Sequence, residues 1–339
     1  MSTMYNNRAP SLITSDQVKE IVEAEDVITN TFRTVLGPEL CKLHDDNVTV
    51  EIMVNPDGLV FAEKLGNEPT RVNNVLVSAT NREYLCQLVA RANNLSFTRE
   101  KPLLQTVVPG TGNRFTASRS PISESVMFRI RKRIALRLTL EDYLEKGQLS
   151  KLQYNVLRRA VAENYRILIA GPQRTGKTTF ASAVLTETAH QYPNACLGVI
   201  EDAPEILITA PNWYAHLTAP DLGLGFSKLV PIQLRFGASS LSLGELRGDG
   251  ADALLDLWIT GVKHTSITTI HAVSDSTALI NFESKLAREG APVNREHIMS
   301  AINLIVTLSR DRRGPHVSTI TKIMTHNDRG FHLAPYTRT

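Results

Sequence analysis

Residues 170–180 read AGPQRTGKTTF, and within them Gly171, Gly176, Lys177 and Thr178 have the spacing G-x-x-x-x-G-K-[ST]. That spacing suits one kind of chemistry. A glycine-containing turn aims backbone N–H groups at phosphate oxygens, the lysine reaches the terminal phosphates, and the hydroxyl meets a magnesium ion. Gly171, Pro172, Gln173, Arg174, Thr175, Gly176, Lys177, Thr178 and Thr179 are therefore candidate phosphate contacts. The alternative is an ordinary basic turn, and the flanks argue against it. Residues 165–170 (YRILIA) have the apolar run of a buried strand, and 178–190 read as the helix that follows.

Phosphoryl transfer also needs carboxylates, one to hold or order the shell of a metal ion and one to orient the attacking water. In open α/β sheets ligands sit at the carboxyl ends of the strands, so the polar residues expected there are the ones to weigh. Glu201, Asp202 and Glu205 follow LGVI, Glu245 and Arg247 follow LSLG, and His271 follows TTI. Glu201 and Glu245 can fill the two carboxylate roles. A carboxylate after a strand is also commonly a helix cap or a solvated loop charge. His271 has two readings as well, a structural histidine or a hydrogen-bonding sensor of the terminal phosphate.

The elements needed to position these groups can be read from the pattern. In the first half, Ser15-Asp16 caps a run with Val18, Ile21, Val22, Ile28, Phe32 and Val35 near helical spacing, and Gly37-Pro38 stops it. Residues 49–55, a Pro56-Asp57-Gly58 turn and residues 59–65 predict a hairpin. Residues 81–95 predict a second helix, and short strands are expected near Val107, Phe115 and 127–131. This is a small α+β amino-terminal domain without a catalytic motif. The basic run RIRKRIALR at 129–137 marks the boundary, so the expected domains are 1–136, with its basic linker, and 137–339. Two capping boxes open helices at the start of the second half, Thr139 with Asp142 and Ser150 with Gln153. Strands are then expected at 195–200, 241–244 and 266–271, with helices at 251–261 and 275–287, an alternation that predicts a mainly parallel α/β sheet.

Bulk properties exclude several classes. With 42% hydrophobic and 21% charged residues over 339 positions, the chain is an ordinary globular one, long enough for two cores. A net charge of +3 is too small to wrap duplex DNA. Cys41, Cys86 and Cys196 are scattered, which fits small buried apolar residues in a reducing compartment better than a disulfide framework or a zinc site. The polar start and the lack of 18 consecutive apolar residues predict a cytoplasmic chain, at a membrane or away from it but not through it.

Taken in order, GPQRTGKTT, VIEDAPEI, LSLGELRG and SITTIHA resemble the phosphate loop, acidic box, second nucleotide motif and histidine box of the secretion traffic ATPases. VTVEIMVNPDGLVFAEKLG, GNRFTAS, MFRIRKR and LTLEDYLEKGQLS are similar to the amino-terminal domain and linker of the TrbB-like, conjugative-transfer branch of the type IV secretion ATPases. The resemblance runs from about residue 20 to Met324. It implies a RecA-like P-loop NTPase domain, ATP and Mg²⁺ as cofactors, and a homo-hexamer at the cytoplasmic face of the inner membrane. It also implies partners among the inner-membrane components of a secretion channel, with ATP hydrolysis driving pilus assembly or substrate transfer. Carried over by motif, Lys177 and Thr178 hold phosphate and Mg²⁺, Glu201 and Glu245 serve metal and water, and His271 senses the γ-phosphate. Which glutamate is the base stays open. Arg114 and Arg131 match arginines of the amino-terminal domain that reach the nucleotide, and Arg247 follows the glutamate of the second motif.

Three segments depart from the family pattern. Pro172-Gln173-Arg174 replaces small residues and glycine, removing one backbone donor and the freedom of glycine. Gly237-Ala-Ser-Ser240 stands where an Arg-Pro-Asp run is usual, and 260–265 (TGVKHT) replaces a Gly-His-x-Gly run, departures expected to bear on turnover. The competing readings are a type II secretion or type IV pilus motor, a DNA-dependent RecA-like enzyme, and a nucleotide-binding ring with little hydrolysis. Many pilus motors carry a four-cysteine insertion that three scattered cysteines do not supply, and RIRKR is the one dense basic run for nucleic acid, whose direct binding is left open.

Overall fold

The computed structural model describes the backbone of residues 15–65, 67–132, 137–247, 249–311 and 314–337, with side chains from residue 26 except Asp221. Contacts divide the chain into two compact units, 1–134 and 135–339. The expected boundary at 136 and residues 133–136 of the basic linker lie outside the described residues.

The first unit runs α1 (Ser15–Leu36), α2 (Pro38–Asp45), β1 (Thr49–Val54), β2 (Leu59–Lys64), β3 (Thr70–Leu76), α3 (Ala79–Ala92), β4 (Leu103–Val107), β5 (Arg114–Ser118) and β6 (Met127–Arg131). Gly37 ends α1 as expected, but Pro38 does not stop helical structure. It sits at the first turn of α2, where its missing N–H has no intrahelical partner to lose. The strands form one antiparallel sheet in the order β3-β2-β1-β6-β5-β4. Phe32, Leu85, Val89, Phe115, Phe128 and Ile130 form part of its core. Cys86 is buried there, whereas Cys41 and Cys196 are only partly buried, against the expectation that all three are core residues.

The second unit runs α4 (Leu140–Glu145), α5 (Lys151–Ala162), β7 (Arg166–Gly171), α6 (Lys177–Gln191), β8 (Leu197–Glu201), β9 (Trp213–Leu217), α7 (Phe226–Gln233), β10 (Ser240–Leu243), α8 (Ala251–Thr260), β11 (Ser266–His271), α9 (Asp275–Arg288), α10 (Arg295–Ala301), β12 (Leu304–Asp311), β13 (Gly314–Asn327) and β14 (Gly330–Pro335). Both capping boxes form, Thr139 with Asp142 and Ser150 with Gln153. The sheet order is β14-β13-β12-β7-β11-β10-β8-β9. Six strands from β12 to β9 are parallel, and the hairpin β13–β14 extends the sheet antiparallel. Strands β8, β10 and β11 are buried along almost their whole length, because helices cover both faces. One core layer carries Leu157, Ile167, Ile169 and Phe180, and the other Leu168, Leu243, Trp258 and Phe282.

Strand β7 lies at the centre, between β12 and β11, with Gly171 in register with His271. The carboxyl ends of β7, β8, β10 and β11 therefore converge on the loop 171–178. Residues 237–240 lead into β10 and 260–265 into β11, so these two departures stand at the opposite ends of the strands. A four-residue strand separates the two ends by about 13 Å. At that far end, His264 packs on Tyr192 with ring centroids 4.4 Å apart and meets Asn164 at 3.1 Å. These two departures lie at the base of the sheet, away from the phosphate loop.

Candidate active site

The loop between β7 and α6 is shaped by steric necessity. At Gly171 a Cβ would stand 2.6 Å from Thr175 Oγ1 and 2.9 Å from the Leu308 carbonyl oxygen, so no side chain fits. The backbone then turns with φ 64° at Arg174 and φ 78° at Gly176. A non-glycine residue in this left-handed region costs about 1–2 kcal/mol, so Arg174 occupies a position that calls for glycine. Its carbonyl accepts a hydrogen bond from Arg310 Nη1 at 2.9 Å, which ties the loop to β12. Thr175 Oγ1 donates to the Pro172 carbonyl at 2.8 Å, closing the turn from inside. Helix α6 starts at Lys177 without a side-chain cap. Its first-turn N–H groups thus face no competing acceptor from a capping side chain, the condition under which a helix start binds an anion.

Lys177 is buried, and its ammonium donates to the carbonyls of Gly171 at 3.0 Å and Pro172 at 2.9 Å. It also meets His271 Nδ1 at 3.0 Å. An ammonium has no acceptor, so Nδ1 must accept and the imidazole proton resides on Nε2. That nitrogen lies 3.0 Å from Glu245 Oε1, whose other oxygen, Oε2, accepts from Arg247 Nη2 at 2.9 Å. Arg247 Nη1 in turn lies 3.9 Å from Asp202 Oδ2. One polar chain therefore runs Lys177–His271–Glu245–Arg247–Asp202 across the ends of β7, β11, β10 and β8.

The electrostatics keep the imidazole uncharged. Burial, aided by the charges of Lys177 and Arg247, holds His271 below the ordinary imidazole value against the opposing pull of Glu245, so it is neutral at pH 7. Burial alone would raise Glu245, but the hydrogen bond from Arg247 and the positive groups around it outweigh burial and hold it below the usual carboxylate range. Glu245 is ionised and able to accept a proton from a donor in front of it.

Glu201 and Glu245, which the sequence treats as a pair, are placed in different settings. Glu201 is the last residue of β8 and is 3% exposed. Its Oε1 accepts from the backbone N–H groups of Glu205 at 3.0 Å and Ile206 at 2.8 Å, so it braces the loop that follows. The bare carbon of Gly244 makes this possible, since a Cβ there would meet Glu201 Cγ at 2.8 Å. The carboxylate at the Thr178 hydroxyl is Glu205, whose Oε2 accepts from Oγ1 at 3.4 Å. Glu205 is not among the glutamates that the motif spacing singles out; its position four residues past Glu201, after Pro204, is the signal in the sequence. Among the described residues no three His, Cys, Asp or Glu side chains form a metal cage. A hydroxyl with one nearby carboxylate still suits Mg²⁺, which takes few protein ligands and completes its shell with phosphate oxygens and water.

Arg114 and Arg131 belong to the first unit. They are cross-strand partners on β5 and β6, and Glu51 on β1 stands opposite Arg131 on its other side. The three form one row across the sheet, in which the glutamate offsets the repulsion of two facing arginines.

Residues 100–327 match the family model "Type II/IV secretion system protein". The chain is 30% identical over 301 residues to the conjugal transfer protein TrbB of Rhizobium radiobacter, covering 89% of this chain and 92% of the relative. It is 27% identical over 323 residues to the type IV secretion system protein VirB11 of Brucella suis, covering 81% and 86%. In fold it is similar to the ATPase DotB of Yersinia pseudotuberculosis, with a TM-score of 0.58 at 15% identity, covering 93% of this chain and 80% of that one. With two-thirds of its length in the matched region, the chain belongs to the type II/IV secretion system protein family.

Proposed function

We propose that this chain is the ATP-hydrolysing motor of a type IV secretion or conjugal-transfer apparatus, working as a homo-hexamer at the cytoplasmic side of the inner membrane against channel components there. The observation that carries the reading is the polar chain in which Lys177, at the phosphate loop, is joined through His271 to Glu245. The relatives named as conjugal transfer and type IV secretion proteins support the biological setting. Among the described residues no helix is long and apolar enough to cross a membrane, in keeping with peripheral attachment.

In the proposed mechanism the loop amides and Lys177 hold the β- and γ-phosphates of ATP. Mg²⁺, when bound, supplies charge neutralisation on those phosphates, with the Thr178 hydroxyl as its protein ligand and Glu205 beside it. Glu245 orients the attacking water and accepts its proton, which assigns the base left open between the two glutamates. Glu201 holds the loop that carries Glu205. Neutral His271 couples Glu245 to Lys177, so an added γ-phosphate that draws on the lysine is felt at the carboxylate. Arg247 keeps Glu245 ionised, and Arg114 and Arg131 reach the nucleotide from the amino-terminal domain, as their motifs imply.

The decisive experiment measures phosphate release by the full chain with ATP and Mg²⁺, alongside its mass in solution with and without nucleotide. Hydrolysis that disappears in Lys177→Ala, in particles of six subunits, supports the motor. An unchanged rate in Lys177→Ala sinks the phosphate-loop assignment, and hydrolysis stimulated by single-stranded DNA favours the DNA-dependent alternative.

A further inference from the structure

Two side chains outside the motifs grip the active-site backbone from a single helix. Asn281 and Lys285 lie on α9, four residues apart and hence on one face. Asn281 Nδ2 donates to the carbonyl oxygen of His271 at 2.7 Å. Lys285 Nζ donates to the carbonyl oxygen of Arg247. Each therefore holds the main chain of one partner in the Lys177–His271–Glu245–Arg247 chain.

Backbone pairing alone leaves these carbonyls at the end of regular structure. Leu246 N donates to the Thr269 carbonyl at 2.8 Å, and Thr269 Oγ1 donates to the Gly244 carbonyl at 2.7 Å, which fastens the segment after β10 to β11 up to residue 246. Arg247 is the next residue, and His271 ends its strand. A single helix spanning both points converts two loop ends into one rigid frame. The helix itself is anchored by Ala278, Leu279, Phe282 and Leu286 in the core, so the frame is referenced to the sheet.

The charge of Lys285 is consistent with a designed contact. Burial lowers its ammonium below the ordinary value, with Glu245 acting to keep it charged. A long side chain loses about 2 kcal/mol of rotamer entropy when fixed, which solvent exposure would have spared. No role in phosphate contact is needed to account for its place.

We infer that Asn281 and Lys285 are positioning residues that hold the His271–Glu245 hydrogen bond in register, so that the carboxylate stays aimed at the attacking water. This rests on the ATPase reading above for its consequence but not for its geometry. Loosening either contact should spare nucleotide binding and slow turnover.

The test uses the full chain with Lys285→Met, which keeps the apolar stem, and Asn281→Leu, which keeps the volume, together with Lys285→Arg. Thermal melting first confirms that each variant folds. With histidine labelled by ¹⁵N, and His271 assigned by its loss in His271→Gln, the wild-type ring should show a single Nε2–H tautomer. Lys285→Met and Asn281→Leu should each mix the tautomers. In phosphate release each should lower kcat about tenfold, or ~1.4 kcal/mol of barrier, with KM for ATP changed less than twofold. Lys285→Arg should restore the single tautomer and most of the rate. A single tautomer retained in both variants, or a loss seen only in KM, overturns the inference. The tautomer measurement does not depend on hydrolysis, so failure of the ATPase reading would appear separately, in the Lys177→Ala comparison.

Discussion

The two glutamates chosen as a pair from sequence should behave differently when each loses its charge. In Glu201→Gln the side-chain carbonyl can still accept from the Glu205 and Ile206 N–H groups, so shape is preserved. Each bond falls from a charge-assisted one, about 1.5–3 kcal/mol, to a neutral one, about 0.5–1.5 kcal/mol, so two bonds together cost roughly 2 kcal/mol. For a unit of this size that lowers Tm by about 4–8 °C. In Glu245→Gln the amide has one oxygen but faces two donors, His271 Nε2–H and Arg247 Nη2. One must be abandoned, and a switch of the His271 tautomer would break a second bond, because Lys177 meets Nδ1. Loss of a general base typically costs about 10²–10⁴-fold in rate. The assay is phosphate release at saturating ATP, with nucleotide binding and thermal melting on the same samples. The expected result is a kcat collapse in Glu245→Gln far beyond any melting loss from the abandoned bond, and in Glu201→Gln a melting loss with a smaller rate effect. The reverse order would refute the division of roles, and equal loss of kcat without a melting change in Glu201→Gln would return Glu201 to the reaction.

Other outcomes follow from the same geometry. Because the folded His271 has its pKa below the ordinary value of about 6.5, the unfolded chain binds the proton first as pH falls; its stability contribution is full above about pH 6.5 and declines below it. Turnover should be flat from pH 7 to 8 and fall in acid as the imidazolium repels Lys177, and removal of that acid limb's His271 component in His271→Gln checks the assignment. Arg174→Gly should raise stability by about 1 kcal/mol by relieving the left-handed backbone, measured as an increase in Tm; a decrease would show that the side chain is worth more than the strain. A chain of residues 137–339 should fold and bind nucleotide weakly but lose most hydrolysis, and Arg131→Ala in the full chain should behave alike, since an arginine at a γ-phosphate is worth about 10³–10⁵ in rate. Full activity in the shorter chain would mean that its site is complete without the first unit.

Much of the scaffold is readable because its signals are local. The phosphate loop is fixed by spacing over eight residues, and the capping boxes at Thr139 and Ser150 by spacing over four. Segments with conflicting signals escaped that reading. Helix α2 begins on a proline, α7 carries Pro231, and β13–β14 mixes polar residues with apolar ones because the hairpin is partly exposed. In α7 and the hairpin tertiary packing overrides local preference, whereas Pro38 suits the first turn of α2 and misleads only as a stop signal.

Sequence by itself determined which residues could do the chemistry: a lysine and a hydroxyl at a helix start, acidic residues after two strands, and a histidine at the end of another. Tertiary structure decided which of them act on one another. Residues Lys177 and His271 are 94 positions apart, and their contact depends on the register that sets Gly171 opposite His271. The different partners of Glu201 and Glu245, and the arrival of Glu205 at Thr178, depend on how the loop after β8 closes on its own carboxylate. The grip of α9 on Arg247 and His271 likewise arises only when the helix is laid on the sheet. Spacing along a chain specifies contacts within a turn or a capping motif; contacts between strand ends are set by sheet order and register, which are collective properties of the packed fold.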